Sequence, residues 1–351
     1  MHNELPSYDQ APAGAIRFNT DSNKLEVYIG GPVGYGTLPN GQWMEVDNWS
    51  PENQTGGTRG VFIWGYNAPS AANSNTINYI TISTTGNAID FGDTTSARRG
   101  GGSCASRTRG LFAGGLDGVR RNIIDFVTIS STGNASDFGD LTALRQDLAG
   151  GGTSSSTRGL FAGGSEDPGV LVNKIDYVTI ASTGDAVDFG DLINSPELTS
   201  GCSSSTRSVY GGGNAPSVVN VIQFLTISTL GNAADFGDLL TAGRSIGACS
   251  NSIRGLWGGG NSPGNSNTIE YITISTLGNA ADFGDLTQAR GTISACASST
   301  RGTWAAGDIP GANSNVIDYV QIMSTGNAVD FGDLTIVGAQ LTACSNGHGG
   351  L

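Results

Sequence analysis

Histidine and charged side chains are scarce in this sequence, which narrows the chemistry available to it. Among 351 residues there are two histidines, His2 and His348, and charged residues make up 13%. The zinc-protease motif His-Glu-x-x-His is absent, and the glycine runs fall between predicted strands, without the helix N-terminus that holds a phosphate. We therefore expect no catalytic residue, no metal and no cofactor, and predict that the protein is not an enzyme.

Long apolar runs and excess positive charge are also missing. No apolar stretch approaches the roughly 20 residues of a membrane-spanning helix. The net charge of −13 disfavours nucleic acid and anionic membrane surfaces. The N-terminal residues lack a basic segment followed by an apolar one, so no signal peptide is predicted. We expect neither a nucleic-acid partner nor membrane insertion.

Glycine is abundant, and the glycines belong to a pattern that occurs six times. There are 55 of them, yet the apolar residues alternate as they do in β-strands. The tetrapeptide Asp-Phe-Gly-Asp recurs every 47 to 51 residues and begins at Asp90, Asp137, Asp188, Asp235, Asp282 and Asp330. An arginine keeps the same register at Arg59, Arg109, Arg158, Arg207, Arg254 and Arg301. We number the repeats 1 to 6 by the tetrapeptide.

Each repeat contains four short strand-like segments separated by glycine or Gly-Asn turns, which is typical of a β-propeller blade. A Gly-Gly pair follows the second segment, an aromatic residue stands in the third, and a large aromatic stands in the fourth. This order resembles the kelch repeat, with phenylalanine where kelch units carry tryptophan. The phenylalanines are Phe91, Phe138, Phe189, Phe236, Phe283 and Phe331. The predicted fold is all-β: a six-bladed kelch-like propeller of four-stranded blades with a small N-terminal β-hairpin module.

The ring of blades must be closed by some part of the chain. Repeat 6 continues into residues 339–346, which match the inner strand of a following blade, whereas repeat 1 has a poor inner strand before Arg59. We therefore predict that the C-terminal strand completes the first blade. The alternative is a seventh blade, built in part by residues 14–49.

The repeated tetrapeptide is predicted to be structural. Its phenylalanine is expected to pack between neighbouring blades, and its aspartates to accept hydrogen bonds from turn amides or to pair with the arginine of the repeat. The alternative is one calcium site per blade, although the loop spacing of calcium motifs is absent. A kinase metal-binding triplet is excluded, because no nucleotide loop or His-Arg-Asp segment accompanies it.

Five of the repeats carry one cysteine each, five residues before the arginine position and therefore on the predicted inner strand. Paired zinc-type spacings are absent, and residues on different blades rarely meet disulfide geometry. We predict buried free thiols and folding in a reducing compartment. The residues are Cys104, Cys202, Cys249, Cys296 and Cys344, with Thr153 in the corresponding place of repeat 3.

The loop between the second and third strands differs most among the repeats. Equivalent loops should lie on one face of the ring, and variable loops on a rigid scaffold are common binding surfaces. The alternative is that they are solvated turns without a ligand. The candidate ligand-binding residues are Asp117, Arg120, Arg121, Glu166, Asp167, Asn214, Asn261, Asn265 and Asp308.

Residues 14–49 lie outside the repeats. Their pattern predicts a β-hairpin, with Ile16 and Phe18 in the first strand, a polar turn, and alternating apolar residues from Leu25 onward in the second strand. The run "GAIRFNTDSNKLEVY", followed later by Trp43, resembles a short module of fibre and other structural proteins of tailed bacteriophages. Repeats rich in "STGNAxDFGDL" resemble virion proteins of marine phages, including those that infect cyanobacteria.

These resemblances imply two domains and a function. We expect an attachment or oligomerisation module at residues 1–50 and the propeller at residues 51–351. The implied function is that of a virion structural protein, a tail fibre, knob or decoration, which is assembled in the host cytoplasm and presents the propeller for host recognition or subunit contacts. The implied partners are other virion proteins through residues 14–49, sister copies in a homo-oligomer, and a host surface glycan or receptor. The alternative is a carbohydrate-binding lectin or adhesin that acts through the inter-strand loops.

Overall fold

Alternating apolar residues and closely spaced glycine turns make this chain a β protein. The computed structural model describes residues 14–19, 24–29, 42–45, 58–63, 65–261 and 263–351. Across these residues every regular element is a strand, and none of them forms a helix able to cross a membrane. The chain divides into two compact units, Met1–Asn53 and Gln54–Leu351.

The first unit contains a three-stranded antiparallel sheet. Its strands, in sheet order, are β1 (Ile16–Asn19), β2 (Lys24–Ile29) and β3 (Gln42–Glu45). The first two strands form the predicted hairpin, in which Ile16 lies opposite Val27. The third strand pairs with the second and was not part of the predicted hairpin.

Among the side chains that the structure describes in this sheet, the buried ones are polar or aromatic. Glu26 and Tyr28 are buried, whereas Ile16 is 66% exposed. The Arg17 guanidinium lies 4.3 Å from the centre of the Trp43 ring, and its Nε donates to Glu26 Oε2 at 2.6 Å. Tyr28 meets Trp43 edge to face at 5.3 Å. Glu26 and Tyr28 thus take part in an ion pair and a ring contact, which are favourable interactions for buried polar and aromatic side chains.

The second unit contains the six repeats as a series of small antiparallel sheets. Repeats 1 to 3 supply β4 (Arg59–Ile63), β5 (Tyr66–Asn67), β6 (Ala72–Asn73), β7 (Thr76–Thr81), β8 (Ile89–Asp93), β9 (Gly102–Ala105), β10 (Arg109–Ala113), β11 (Arg121–Thr128), β12 (Ser136–Arg145), β13 (Arg158–Ala162), β14 (Ser165–Glu166), β15 (Val170–Leu171), β16 (Lys174–Thr179) and β17 (Val187–Asp191). Repeats 4 to 6 supply β18 (Ser200–Ser203), β19 (Arg207–Gly211), β20 (Val221–Thr226), β21 (Ala234–Asp238), β22 (Gly247–Ser250), β23 (Arg254–Gly258), β24 (Thr268–Thr273), β25 (Ala281–Asp285), β26 (Ser294–Ala297), β27 (Arg301–Ala305), β28 (Asp308–Ile309), β29 (Ala312–Gln321), β30 (Val329–Ala339) and β31 (Thr342–Ser345).

The sheets form a β-propeller, but the predicted number of four-stranded blades is wrong. Five blades have four strands in the described chain, and repeat 3 forms a sheet of three, β13, β16 and β17. The inner segment of repeat 3 makes isolated bridges at Gly150 and Ser154 instead of a regular strand. A glycine run bends it: Gly151 has φ +91, and a Cβ there would lie 2.1 Å from the Gly201 carbonyl oxygen. The His348 ring lies 3.3 Å from an ideal Cβ on Gly152, within the space that a regular strand with side chains would fill.

The C-terminal strand completes the first blade, as the sequence predicts. Strand β31 pairs with β4, with Thr342 opposite Ile63 and Ser345 opposite Gly60, and the sheet continues through β7 and β8. The first and last repeats therefore share one sheet. This pairing, and not a blade from residues 14–49, closes the ring.

The Asp-Phe-Gly-Asp tetrapeptide joins each outer strand to the next repeat. The phenylalanine carbonyl accepts a hydrogen bond from a turn glycine of the next repeat, as Phe91 does from Gly133 at 2.8 Å, and Asn134 Oδ1 accepts from the Asp93 amide at 3.0 Å. A Cβ on Gly92 would lie 2.5 Å from the Gly133 carbonyl oxygen. The tetrapeptide contains glycine because the neighbouring turn approaches this closely. The same contact recurs around the ring and includes Gly86 to Phe331, between the first and last repeats.

The phenylalanine rings and the repeated arginines complete these joints. Phe91 packs edge to face on Tyr79 of its own blade at 5.8 Å and lies in one apolar cluster with Val127 and Ile129 of the next. The Arg59 guanidinium carbon lies 4.8 Å from the centre of the Tyr79 ring, and Arg59 Nη1 donates to the Ile129 carbonyl oxygen at 3.0 Å. The equivalent arginines also donate to backbone carbonyls, and no ion pair among the described residues joins them to the tetrapeptide. The predicted pairing of these arginines with the tetrapeptide aspartates is therefore wrong.

The cysteines occupy the inner strands, where repeats crowd together. All five are buried and free. Each sulfur faces a second-strand glycine of the following repeat: a Cβ on Gly159 would lie 2.3 Å from Cys104 Sγ, and one on Gly255 2.6 Å from Cys202 Sγ. Burial raises the pKa of the thiols, so they stay protonated.

Candidate functional site: the loop face of the propeller

The loops between second and third strands lie at the same end of the propeller as the links that lead into each inner strand. Backbone bridges join the two segments in successive repeats: Arg99 to Leu116, Gln146 to Ser165, Glu197 to Asn214, Arg244 to Asn261 and Gly291 to Asp308. We call this end the loop face. All of the candidate binding residues named from the sequence lie on it.

In repeats 2 and 3 the structure brings the predicted charged residues together as ion pairs. Arg121 Nε donates to Asp117 Oδ2 at 2.8 Å, within one loop. Arg120 of repeat 2 pairs with Asp167 of repeat 3, and thereby ties neighbouring loops together. Glu166 accepts from Lys174 Nζ at 2.7 Å. These pairs are partly exposed, so each adds little stability, and of the three only Arg120–Asp167 links the loops of two repeats.

In repeats 4 to 6 the predicted residues also bind the protein itself. Asn214 Nδ2 donates to Glu197 Oε1 at 3.2 Å, and Asn265 Nδ2 donates to the Asp308 carbonyl oxygen of repeat 6 at 2.7 Å. Asn261 forms a backbone bridge with Arg244. Arg120–Asp167 and Asn265–Asp308 join loops of different repeats, whereas the other candidates contact residues of their own loop or of an adjoining segment, so the nine do not form one convergent cluster.

A second feature of the loop face is a ring of left-handed residues around the propeller axis. At one equivalent position of every repeat the residue has φ between +50 and +66, and these residues are Gly100, Asp147, Leu198, Ser245, Thr292 and Gln340. Left-handed backbone is rare outside glycine and costs about 1–3 kcal/mol at each non-glycine residue. Backbone hydrogen bonds link these left-handed residues to one another around the axis. They run from Asp147 N to Gly100 O at 2.6 Å, Leu198 N to Asp147 O at 3.0 Å, Ser245 N to Leu198 O at 2.9 Å, Gln340 N to Thr292 O at 3.2 Å and Gly100 N to Gln340 O at 3.2 Å.

This axial rim surrounds a cavity of about 50 Å³. Its side chains differ from repeat to repeat, with a carboxyl at Asp147, a hydroxyl at Ser245 and an amide at Gln340. Burial raises the pKa of Asp147, while the side-chain hydrogen bond from Gln146 lowers it. Sequence reasoning missed the rim, because no residue type is common to its six positions and the left-handed backbone leaves no signal there outside Gly100.

At the other end of the axis the C-terminal residues enter the propeller. His348 is buried, and its Nε2 lies 3.2 Å from both the Ala105 carbonyl oxygen and Ser154 Oγ. Its Nδ1 accepts from the Gly350 amide at 3.1 Å. The serine and histidine form an enclosed structural contact, because both side chains are shielded from solvent and the same ring nitrogen also meets a backbone carbonyl.

Three buried ion pairs were also missed from the sequence. Arg98 pairs with Asp125 at 2.5 Å, Arg145 with Asp176 at 2.5 Å and Arg290 with Asp318 at 2.6 Å, and all six side chains are at most 1% exposed. Each arginine follows the first aspartate of a tetrapeptide by eight residues, and its partner is on the third strand of the next repeat. Only repeats 2, 3 and 6 have both residues, so the pattern is incomplete around the ring.

The described residues contain no group of three His, Cys, Asp or Glu side chains placed to hold a metal ion. The prediction that the protein binds no metal or cofactor stays a prediction. No protein-family model matches the chain, and a search of curated proteins gives no significant match.

Proposed function

We propose that the protein is a non-enzymatic virion structural protein of a tailed bacteriophage, a fibre, knob or decoration, whose loop face contacts a host receptor or neighbouring subunits. The observation that carries the proposal is the preformed loop face. Arg120–Asp167 and Asn265–Asp308 join loops of different repeats, so little conformational entropy is lost when a partner binds. The sequence resemblance to phage virion proteins supports the particle as its location.

The N-terminal unit is proposed to attach the propeller to other virion proteins or to sister copies. Ile16 is 66% exposed and Val27, its cross-strand neighbour, is half-buried, so this unit has apolar surface available for a partner. Assembly would take place in the host cytoplasm, where the five free thiols would stay reduced.

Immunogold electron microscopy of purified phage, with antibody against the propeller, tests the location. Label at fibres or tail tips supports host adhesion, and label over the head supports decoration. Particles without label would overturn the virion proposal. The attachment role is tested by a phage that encodes the chain without residues 1–50, compared with one that carries Ile16→Asp alone. Both variants should fold and fail to incorporate, and normal incorporation of the truncated chain would refute attachment through this unit.

A carbohydrate-binding function is the second candidate, and the axial rim favours it. Carboxyl, hydroxyl and amide groups of Asp147, Ser245 and Gln340 surround one cavity, and these groups hydrogen-bond sugar hydroxyls. A glycan array probed with the full chain should then give saturable binding that Asp147→Asn weakens. Asp282→Asn, on an exposed outer-strand residue, is the matched control. An array with no bound glycan would contradict this function.

A further inference from the structure

The third strand carries a buried polar side chain at the same place in every repeat. This side chain is usually acidic where an arginine faces it and neutral where no arginine does. In repeats 2, 3 and 6 the side chain is an aspartate paired with an arginine. In repeats 1 and 4 the arginine position holds Gly338 or Pro196, and the third-strand residue is a neutral amide, Asn78 or Gln223. A buried acid therefore occurs with an arginine, and a neutral residue without one.

Repeat 5 breaks this rule. Its third-strand residue is Glu270, which is 7% exposed, but the arginine position holds Gly243. Glu270 Oε2 accepts from the Leu240 amide at 2.7 Å. The neutral Gln223 makes the same contact with Ile193 at 2.7 Å, and its amide also donates to Asn194 Oδ1 at 3.0 Å. A carboxylate is not required for the backbone contact.

A cavity of about 70 Å³ occupies this part of repeat 5. Its lining includes Gly243, Glu270 and the exposed Thr241. One water needs about 10–15 Å³ of such volume, so the cavity has room for roughly five water-sized atoms, and a guanidinium group has four. Arg244 follows Gly243 in the chain, but it is exposed and does not line the cavity.

The sister repeats show what this space accommodates. In repeat 6, Arg290 Nη2 donates to the Asp318 carboxylate, and its Nη1 donates to the carbonyl oxygens of Ala306 and Val316 at 2.9 and 2.6 Å. In repeat 3, Arg145 does the same with Gly163 and Lys174, both at 3.1 Å. The equivalent residues of repeat 5 are Gly259 and Thr268, and both line the cavity with Glu270. Gly259 is partly exposed, whereas Gly163 and Ala306 are buried.

We propose that the cavity between Gly243 and Glu270 is a binding site for a guanidinium group supplied from outside the chain. The group belongs either to a small guanidinium solute or to an arginine side chain of a partner protein. The carboxylate of Glu270 is its counter-ion, and the carbonyl oxygens of Gly259 and Thr268 accept its remaining N–H donors, as the sister carbonyls accept those of Arg290. The site is separate from the axial rim and does not depend on the function proposed above.

Isothermal titration calorimetry of the full chain with methylguanidinium chloride, at constant ionic strength, tests the site. We expect saturable binding of one ion per chain, and no comparable binding of methylammonium, which lacks the planar fork of donors. Glu270→Gln should weaken binding at least about tenfold, because a charged hydrogen-bond partner is lost. Gly243→Arg should abolish binding, because the new side chain fills the cavity as Arg290 does in repeat 6. A Cβ at Gly243 lies 3.0 Å from the Ile246 side chain, which can adjust.

Blocked arginine amide distinguishes the two sources. Binding as tight as that of methylguanidinium supports an arginine side chain of a partner, and binding of methylguanidinium alone supports a small solute. Absence of saturable binding would overturn the proposal. Equal affinity of the wild type and both variants for methylguanidinium would also overturn it. Equal affinity of the wild type for methylammonium and methylguanidinium would do the same, and this comparison can be made even if a variant fails to fold.

Discussion

The buried His348 makes a specific prediction about acid stability. Burial lowers its pKa from 6.5 to about 4, against an opposing contribution from the Ala105 carbonyl hydrogen bond. In the unfolded chain the imidazole accepts a proton near pH 6.5, whereas in the folded chain it stays neutral until about pH 4. The unfolded state therefore binds more protons across this window, and the free energy of unfolding falls as the pH is lowered through it.

The size of the effect follows from the two pKa values. Each unit of difference is worth about 1.4 kcal/mol, so the full window from pH 6.5 to about pH 4 corresponds to roughly 3 kcal/mol. Between pH 7 and pH 5, where few carboxylates titrate, the expected loss is about 2 kcal/mol. The stability contributed by neutral His348 is fully present above the unfolded pKa.

Urea unfolding of wild type and His348→Gln at pH 7 and pH 5 measures this loss. Urea is preferred to guanidinium, which is a proposed ligand. Glutamine keeps a side-chain amide near the Ala105 carbonyl but does not titrate, so carboxylate effects common to both proteins cancel. Wild type should lose about 2 kcal/mol more than the variant. An equal pH dependence in the two proteins would refute the burial of a neutral imidazole.

Three further predictions concern packing. Arg290→Met should lower the free energy of unfolding by about 3–5 kcal/mol, because Asp318 is left buried without its partner, and adding Asp318→Leu should restore most of the loss in urea titrations. Gly284→Ala should destabilise the protein by about 1–3 kcal/mol more than Gly326→Ala: both glycines have φ near +150, but a Cβ on Gly284 meets the Gly326 carbonyl at 2.5 Å, whereas one on Gly326 meets nothing within 4 Å. The five buried cysteines should not react with a thiol reagent such as DTNB in the native protein and should all react in urea.

Each of these has a clear contrary result. A double variant as unstable as Arg290→Met would mean that the buried pair is not what the single change disrupts. Equal effects of the two glycine substitutions would mean that backbone conformation, and not contact between repeats, requires glycine at Gly284. Reaction of any cysteine at the rate of a free thiol in the native state would show that the inner strands are open.

The features that could be predicted are those that all repeats share. The same residue types recur at the same positions in every repeat, because each blade packs against equivalent neighbours. This recurrence predicts the strands, the buried inner cysteines and the closing role of β31. The interrupted inner strand of repeat 3 could not be predicted in this way. Its cause is a glycine run that lies next to His348. His348 is distant in the sequence, and no repeat pattern connects it with that glycine run.

The role of the tetrapeptide was only partly predictable for a different reason. Burial of its phenylalanine follows from hydrophobicity, but its main contacts between repeats are backbone hydrogen bonds, which any residue can make. Gly92 is a visible trace of them, because only glycine tolerates a neighbouring carbonyl at that distance. Its aspartates look like ligands in the sequence, whereas the backbone of Asp93 is what bonds the next repeat.

The candidate sites lie instead where the repeats differ. Asp125, Asp176 and Asp318 each face an arginine, so a low-dielectric interior encloses compensated charge. Removal of such an arginine normally requires removal of the acid too, as Asn78 and Gln223 illustrate. Glu270 keeps the acid beside Gly243 and an open cavity, so the chain itself contains three occupied versions of a site that repeat 5 leaves accessible. That internal comparison supports a guanidinium group from outside the chain as the occupant, and the Gly243→Arg variant tests whether an arginine of the chain itself can take its place.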